Sequence, residues 1–191
     1  MISVVVPFWS ADPDTDAMLA RCVASLDGQY DELILSCNEP QPDGTVLFSK
    51  YVNLGLRLAR GDYRVVVNSD LLLQQGSLRD LCVPGTITSP VINGNDQPFW
   101  GSCFCVPADV LAKHGGLDEE FTGYYEDLDY CVRMWKAGVP LRSVPSVHCT
   151  HIGGATYARK KERINPQKII ADNEPRFLRK HGRLYEVREL V

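Results

Sequence analysis

The sequence has no long run of apolar residues, and this absence excludes an integral membrane protein built from helices. A helix that crosses a membrane needs about 18 or more consecutive apolar residues, and no stretch of the 191 residues approaches that length. The first residues, MISVVVPFW, have neither the basic start nor the small-residue cleavage site of a signal peptide. We therefore expect no transmembrane segment and a location in the cytoplasm, with peripheral membrane attachment as an alternative.

Paired cysteines and an excess of positive charge are also missing. None of the seven cysteines forms a CxxC pair, so we expect reduced, mostly buried thiols. A net charge of −4 argues against a protein that binds nucleic acid through a general basic field. Basic residues do cluster near the C-terminus, and this favours a solvated helical tail over a contact with an anionic acceptor or membrane surface. They are Arg159, Lys160, Lys161, Arg163, Arg176, Arg179, Lys180 and Arg183.

The chain that remains is typical of one globular domain in which strands and helices alternate. Apolar runs predict buried strands over residues 2–6, 33–37 and 63–67, and a helix over 46–60 precedes the third strand. Between the first two strands, a helix can begin with Thr15 or Asp16 as its cap. This order, with short connections, is typical of a doubly wound nucleotide-binding α/β fold.

After residue 70 the alternation becomes less regular. The patterns there predict strands over 87–92, 99–106 and 141–144, and helices over 77–83, 107–113, 125–137 and from 166 onward.

Polar residues stand at four predicted strand ends or helix starts. In an open α/β sheet, ligands bind just outside the carboxyl ends of the strands. Each group alone has a structural explanation, as a turn, a helix cap or a buried histidine, but their shared placement favours a site. The groups are Asn38, Asn68-Ser69-Asp70, Glu126-Asp127 and His148 with His151.

The order of these motifs resembles the family 2 inverting glycosyltransferases of the GT-A fold, in particular their rhamnosyltransferase-like branch. The segments that carry the resemblance are ISVVVPFW, NLGLRLARGDYRVVVNSD, WGSCFCVPADVLAKHGGLDEEF, YYEDLDYCVRMWKAG and HIGGAT. The resemblance implies a Rossmann-like α/β sandwich with a mostly parallel central sheet. It further implies one catalytic domain over residues 1–156, with a nucleotide-binding half (1–75) and an acceptor half (76–156), followed by a basic helical extension (157–191).

The family's activity would be metal-dependent transfer of a hexosyl or deoxyhexosyl group from a nucleotide sugar to an acceptor hydroxyl, with inversion. Asp127 resembles the family's general base, and Glu126 would orient Asp127 or bind a sugar hydroxyl. Asp70 resembles the last, metal-binding acid of the family's Asp-x-Asp motif. His151 is similar to the family's metal-site histidine, with His148 as the alternative, and Mn²⁺ or Mg²⁺ is the expected cation.

The resemblance also assigns residues to the donor and the acceptor. The donor-binding residues would be Pro7, Phe8, Asn38, Asn53, Gly55, Arg60, Gly61, Asn68, Ser69 and Asp70. The family often has aspartate where Asn38 and Asn68 stand, so UDP-, dTDP- and GDP-sugars remain open as donors. Trp100, Gly101 and Ser102 are expected beside the donor sugar or the acceptor. For Gly61 a plain turn and for Trp100 a place in the core are the structural alternatives.

The family's usual acceptor is a glycan or a lipid-linked sugar, and a protein or a modified nucleic acid are alternatives. Two rival functions remain. A sugar nucleotidyltransferase would need a glycine-rich basic loop after the first strand, and the sequence has none there. A non-catalytic protein that binds nucleotide sugars or carbohydrates with the same fold is the other rival.

Overall fold

The computed structural model describes residues 1–9, 12–38, 41, 45, 47–153 and 165–190. The strands in these ranges are β1 (Ile2–Phe8), β2 (Glu32–Cys37), β3 (Tyr63–Val67), β4 (Leu71–Gln75), β5 (Ile87–Ile92), β6 (Cys103–Pro107) and β7 (Leu141–His151). The α-helices are α1 (Pro13–Ser25), α2 (Phe48–Leu58), α3 (Ala108–His114), α4 (Glu126–Lys136) and α5 (Pro166–His181). Single turns of 3₁₀ helix cover Leu78–Leu81 and Val187–Glu189.

The strands form one mixed sheet in the order β2-β1-β3-β6-β5-β7-β4. β1 pairs in parallel with β2 and β3, and β5 pairs in parallel with β7. β6 runs antiparallel to β3 and β5, and β4 runs antiparallel to β7. Three of the six strand pairs are thus parallel and three are antiparallel. The sequence predicts a mostly parallel sheet. The reason for the difference is that parallel neighbours need a crossover connection, and the chain reaches β6 from β5 through turns instead.

These pairings bring one set of strand ends together. The carboxyl ends of β1, β2, β3, β5 and β7 lie at the same edge of the sheet as the amino ends of β4 and β6. We call this the carboxyl edge. The residues that follow or precede those ends are therefore the ones that can share a site.

Successive strand residues point to opposite faces of the sheet, and the two faces carry separate cores. Val5 belongs to the core shared with α2, α4 and α5. Val4 and Val6 belong to the core on the other face, together with Cys22 of α1. Phe177 of α5 is fully buried in the first core. The last helix therefore packs in the same layer as α2 and α4.

Four elements differ clearly from the prediction, and one of them is β6, which begins at Cys103 rather than at residue 99. Helix α1 is capped by Asp12 rather than by Thr15 or Asp16, because Asp12 and Thr15 form a reciprocal capping box in which the Thr15 amide donates to Asp12 Oδ1 at 2.9 Å. Strand β4 is not predicted. Strand β7 continues to His151 rather than ending at 144. The residues around Pro145 form an irregularity at which the register with β5 shifts, and pairing resumes at His148.

The C-terminal part is helical over Pro166–His181, as predicted. Four of its basic residues, Arg159, Lys160, Lys161 and Arg163, lie outside the described residues. No helix in the described part of the chain is long and apolar enough to cross a membrane.

Candidate active site

Asp70 and His151 meet at the carboxyl edge. A turn in which the Leu71 amide donates to the Asn68 carbonyl at 3.0 Å places Asp70 directly before β4. His151 is the last residue of β7 and the register partner of Leu71. The His151 Nε2 atom lies 2.9 Å from Asp70 Oδ1, and both residues are largely buried. Residues 81 positions apart in the sequence thus bring a carboxylate and an imidazole, two groups that could bind a cation, to one point.

Asn93, in the turn that follows β5, holds His151 in place. Its side chain donates to the His151 carbonyl at 2.8 Å and accepts from the His151 amide at 3.0 Å. Asn93 has a φ of 51°, a left-handed conformation that asparagine tolerates better than most residues. The Asn-Gly pair after β5 is the signal in the sequence that could have identified it.

His148 lies three residues before His151 on the same strand. Because side chains alternate along a strand, His148 faces the side opposite to His151. The hydrogen bond to Asp70 is made by His151. The geometry therefore favours His151 as the histidine that could hold a cation.

Asp70 and His151 fit a divalent cation whose remaining ligands are substrate phosphates and water. Two ligand atoms about 2.1 Å from one Mg²⁺ ion, at adjacent octahedral positions, lie about 3.0 Å apart, close to the 2.9 Å between Asp70 and His151. Among the described residues, no group of three or more His, Cys, Asp or Glu side chains could hold a metal ion. Mg²⁺ is commonly bound by one or two protein groups together with substrate phosphates.

The tip of β3 is joined to the segment before β6. The Asn68 amide donates to the Ser102 carbonyl at 2.9 Å. In this region four buried side-chain atoms have no hydrogen-bond partner within the described part of the chain: Asn68 Oδ1, Trp100 Nε1, Ser102 Oγ and Glu126 Oε2. Buried polar atoms in proteins nearly always have a partner. Their concentration here indicates a place where a polar ligand binds.

Gly101 brings the same segment against the start of α4. A Cβ atom built on Gly101 would lie 2.5 Å from the Cβ of Asp127 and 3.0 Å from its Oδ2. The lack of a side chain at position 101 therefore permits the close approach of this backbone to Asp127. Ser102 contacts the tip of β3 and Gly101 contacts Asp127, so this segment lies between the tip of β3 and the start of α4.

Glu126 and Asp127 form an interacting pair of carboxyl groups. Burial, together with the charge of Asp127, raises the pKa of Glu126 to about 8. Burial also raises the pKa of Asp127, but the Leu128 amide, which donates to Asp127 Oδ1 at 2.7 Å, opposes that rise. Since two adjacent, partly buried carboxylates resist double ionisation, the pair retains one proton near neutral pH. The hydrogen bond from Leu128 favours Asp127 as the ionised member.

The three residues before α4 have an unusual backbone conformation. Gly123, Tyr124 and Tyr125 have φ values of 134°, 56° and 69°. Positive φ is uncommon for a bulky residue, and strained backbone often lies at functional sites. The sequence gives no sign of this strain beyond Gly123 itself.

Three of the expected donor-binding residues lie at the carboxyl ends of β1 and β2. Pro7 and Phe8 end β1, and the amide of Asn38 donates to the Phe8 carbonyl at 2.7 Å. Ser69 lies in the turn between Asn68 and Asp70. These residues share the carboxyl edge with Asp70 and Asp127.

Asn53 and Gly55 have packing roles on α2, which differ from the donor contacts expected of them. The Asn53 side chain donates to the Leu117 carbonyl at 2.8 Å and accepts from the Leu117 amide at 2.9 Å, so its polar atoms are already engaged. A Cβ on Gly55 would lie 2.3 Å from Cγ1 of Val5. Gly55 therefore lets α2 pack closely on the middle of β1.

Arg60 and Gly61 lie at the opposite edge of the sheet, which contradicts the donor-binding role expected of them. The Gly61 amide donates to Ser3 Oγ at 2.8 Å, near the start of β1. Arg60 pairs with Glu32 at the start of β2, with 2.8 Å between Nε and Oε1. The length of the strands separates both residues from Asp70, and Gly61 instead lies close to the backbone of Ser3.

No protein-family model matches the chain, and no curated protein sequence matches it either. Solved structures of similar shape do exist. The catalytic domain of Drosophila β1,4-galactosyltransferase 7, in complex with xylobiose, aligns with a TM-score of 0.63 and 18% identity over 90% of this chain and 79% of that one. Its mutant in complex with manganese, UDP-Gal and xylobiose aligns with a TM-score of 0.61 and 17% identity, over 87% and 77%.

A mannosyltransferase from Pyrobaculum calidifontis, in complex with GDP-Man and Mn²⁺, also aligns with a TM-score of 0.61. It is 16% identical over 99% of this chain and 66% of that one. All three are glycosyltransferases, and they share the mixed sheet flanked by helices that is described above. The α/β structure of this chain is therefore the GT-A fold of the glycosyltransferases.

Proposed function

We propose that the protein is an inverting, metal-dependent glycosyltransferase that moves a hexosyl or deoxyhexosyl group from a nucleotide sugar to an acceptor hydroxyl. One observation carries the proposal. The Asp70–His151 pair and the Glu126–Asp127 pair lie at one edge of the sheet, and the segment that joins them has two buried side-chain atoms, Trp100 Nε1 and Ser102 Oγ, without a hydrogen-bond partner among the described residues. Within the GT-A fold, the sequence motifs favour family 2 and its rhamnosyltransferase-like branch.

The structural neighbours support the kind of donor and acceptor. Two of them are complexes with Mn²⁺ and either UDP-Gal or GDP-Man, and two contain xylobiose. We infer a UDP-, dTDP- or GDP-sugar donor for this chain, bound along Pro7, Phe8 and Asn38. A glycan or lipid-linked sugar is the proposed acceptor. The unpaired thiols of all seven cysteines suit the reducing cytoplasm.

In the proposed reaction, Asp127 accepts the proton of the acceptor hydroxyl while that oxygen attacks the anomeric carbon of the donor. Leu128 holds Oδ1 of Asp127, so Oδ2 remains for the acceptor. The nucleoside diphosphate leaves from the opposite face of the sugar, through a transition state with oxocarbenium character. Glu126, protonated at neutral pH, can donate a hydrogen bond to a sugar hydroxyl.

Asp70 and His151 are the residues that would hold Mn²⁺ or Mg²⁺. A cation there supplies positive charge against the negative charge of the departing diphosphate. Asn68 would add a neutral oxygen where the family's Asp-x-Asp motif has its first aspartate. Trp100 offers an apolar ring face and an N–H group to a sugar.

The experiment that tests the proposal is the Asp127→Asn substitution, assayed with a panel of UDP-, dTDP- and GDP-sugars and Mn²⁺. Loss of the general base should lower kcat for transfer or donor hydrolysis by about 10²- to 10⁴-fold. Donor binding should persist, because the amide keeps the shape of the carboxylate. The exposed Asp27→Asn variant is the control and should retain full turnover. Unchanged turnover in Asp127→Asn would refute the assignment.

A thermal-shift measurement separates the competing functions. A nucleoside diphosphate at 100 times its Kd stabilises the native state by about 2.7 kcal/mol, which corresponds to a rise in Tm of about 5 to 10 °C for a chain of this size. The part of the rise that depends on Mn²⁺ should disappear in His151→Ala. Stabilisation without turnover on any donor would instead support a non-catalytic binding protein. If no nucleoside diphosphate raises Tm, the proposal fails.

A further inference from the structure

The last helix, α5, binds the strained segment that leads into α4. We call residues 123–125 the pre-helix loop. Asn173 of α5 is fully buried, and its side-chain nitrogen donates to the Gly123 carbonyl at 2.6 Å and to the Tyr124 carbonyl at 3.1 Å. The next residue, Glu174, accepts a hydrogen bond from the Tyr125 hydroxyl at 3.2 Å. Two adjacent residues of α5 therefore contact all three residues of the loop.

The orientation of the Asn173 amide is fixed. Arg176 donates to Asn173 Oδ1 at 2.8 Å and also to the Glu120 carbonyl. With the oxygen held by Arg176, the NH₂ group must point to the pre-helix loop. Phe177 adds apolar contact, with its ring centroid 5.4 Å from that of Tyr125.

The pre-helix loop needs such support. Three consecutive positive φ values, two of them at tyrosines, are costly and persist only where surrounding contacts hold them. Tyr125 stands at the cap position of α4 and provides no side-chain hydrogen bond to the helix. The direction in which α4 starts is therefore set by the loop, and the first two residues of α4 are Glu126 and Asp127.

We propose that Asn173 is a positioning residue for the proposed general base. By binding the carbonyls of Gly123 and Tyr124, it fixes the backbone conformation that places the Asp127 carboxylate beside Gly101 at the carboxyl edge. The inference rests on the proposed function, because it gives Asp127 the role of base. It assigns a functional task to the C-terminal helix, which the sequence motifs leave outside the catalytic domain.

A second attachment of α5 provides a matched control. His181 Nε2 lies 2.8 Å from Oδ1 of Asp129, which is fully buried in α4. Asp129 also pairs with Lys180 and Arg133. Replacing His181 weakens the docking of α5 on α4 without removing a contact to the pre-helix loop.

The experiment compares Asn173→Asp and Asn173→Ala with His181→Ala. An ionised aspartate has the shape of asparagine but accepts hydrogen bonds only, so it cannot bind the two carbonyls. Both Asn173 variants should lower kcat at least tenfold, while the donor KM and the Tm shift produced by a nucleoside diphosphate with Mn²⁺ stay within twofold of the original protein. His181→Ala should lower Tm but keep kcat within twofold.

A substrate-free measurement decides the inference even if no donor is turned over. The Leu128 amide donates to Asp127 Oδ1, and the Asp129 amide donates to the Tyr125 carbonyl. Hydrogen exchange at these two amides should accelerate at least tenfold in the Asn173 variants and remain unchanged in His181→Ala.

The outcomes separate the two proposals. Absence of turnover in the original protein on every donor refutes the proposed function, whereas the exchange rates still test the position of the α4 start. Unchanged exchange in both Asn173 variants, or equal acceleration in His181→Ala, overturns the positioning role. If both Asn173 variants are unfolded at 25 °C, Asn173 supports the fold as a whole and the inference is likewise overturned.

Discussion

Among single residues, Glu126 and Asp127 are two neighbouring carboxyl groups whose pKa values are both raised by burial. Burial and the charge of Asp127 raise the pKa of Glu126 to about 8, while Leu128 donates a hydrogen bond to Asp127. Near neutral pH the shared proton therefore resides mainly on Glu126. A base that is ionised beside a neutral acid is suited to accept a proton from an acceptor hydroxyl.

This pair makes stability depend on pH in a defined direction. In the unfolded chain Glu126 loses its proton near its ordinary pKa of 4.5, but in the folded protein it does so near 8. Between these values the folded state binds more protons, so the free energy of unfolding falls as pH rises, by at most about 1.4 kcal/mol per pH unit. Glu126→Gln should reduce this slope in urea unfolding measured from pH 5 to pH 9 with EDTA present, because the contribution of Glu126 is lost while that of Asp127 remains.

The control for this measurement is Glu186→Gln, which changes an exposed glutamate whose neighbour Tyr185 packs on Trp135 in the last turn of α4. Its unfolding free energy should keep the pH slope of the original protein. Identical slopes for Glu126→Gln and the original protein would show that Glu126 titrates normally.

Some site residues are predictable from sequence and others are not. Asp70 and His151 stand at strand ends and Asp127 stands at a helix start, and side chains of these types at such positions are what the sequence can single out as candidates. Arg60 and Gly61 follow the same motif order, but their position before β3 puts them at the other edge. Asn93 and Asn173 act through contacts between distant segments, which no local pattern contains.

At the scale of secondary structure elements, the packing of α2 on β1 depends on Gly55. Gly55→Ala would place a methyl group 2.3 Å from Val5 Cγ1 in the present geometry. Such overpacking costs about 1–3 kcal/mol, which for this chain length should lower Tm by roughly 2–12 °C. The donor KM should not change, because Gly55 contacts the sheet and not the carboxyl edge.

The matched control is Lys50→Ala, an exposed position on the same helix, where a surface change should alter stability by less than about 0.5 kcal/mol. Calorimetry or circular dichroism melting measures both variants. An increased donor KM with unchanged Tm in Gly55→Ala would restore the donor-binding role.

Elements with a continuous apolar run or a clear periodicity are found where the sequence predicts them. Strand β3 matches its predicted bounds, and so does β5. Strand β4 is missed because its edge position leaves Gln74 and Gln75 in an otherwise apolar run of only five residues. The end of β7 is missed because Pro145 reads as a break, whereas the strand continues past it after a shift in register.

At the scale of the whole molecule, the cores on both faces of the sheet contain cysteines. The accessibility of their thiols to a reagent therefore reports whether the protein is folded. Cys37 is exposed, Cys82 is half-buried, and the remaining five cysteines are buried. Burial raises the pKa of Cys22 to about 12, and thiolate is the reactive form. Titration of the native protein with a thiol-specific disulfide reagent should modify Cys37 rapidly and Cys82 second, and all seven residues only in guanidinium chloride.

Cys37→Ser should remove the fast phase of this titration and leave the rest unchanged. Modification of more than two thiols before the unfolding transition would show that one of the two cores opens in the native state.

The short connection from β3 to β4 limits how far the ends of these two strands can move apart. Only residues 68–70 join these strands, yet the sheet order places β4 four positions from β3. In a flat sheet four strand spacings cover about 19 Å, whereas the four residue steps from Val67 to Leu71 reach at most about 14 Å. The sheet must therefore curl, and Val67 and Leu71 accordingly belong to the same buried core. The three-residue link has a fixed maximum length, so it keeps the start of β4 near the end of β3 and limits how far Asp70 can separate from the β3 end of the sheet.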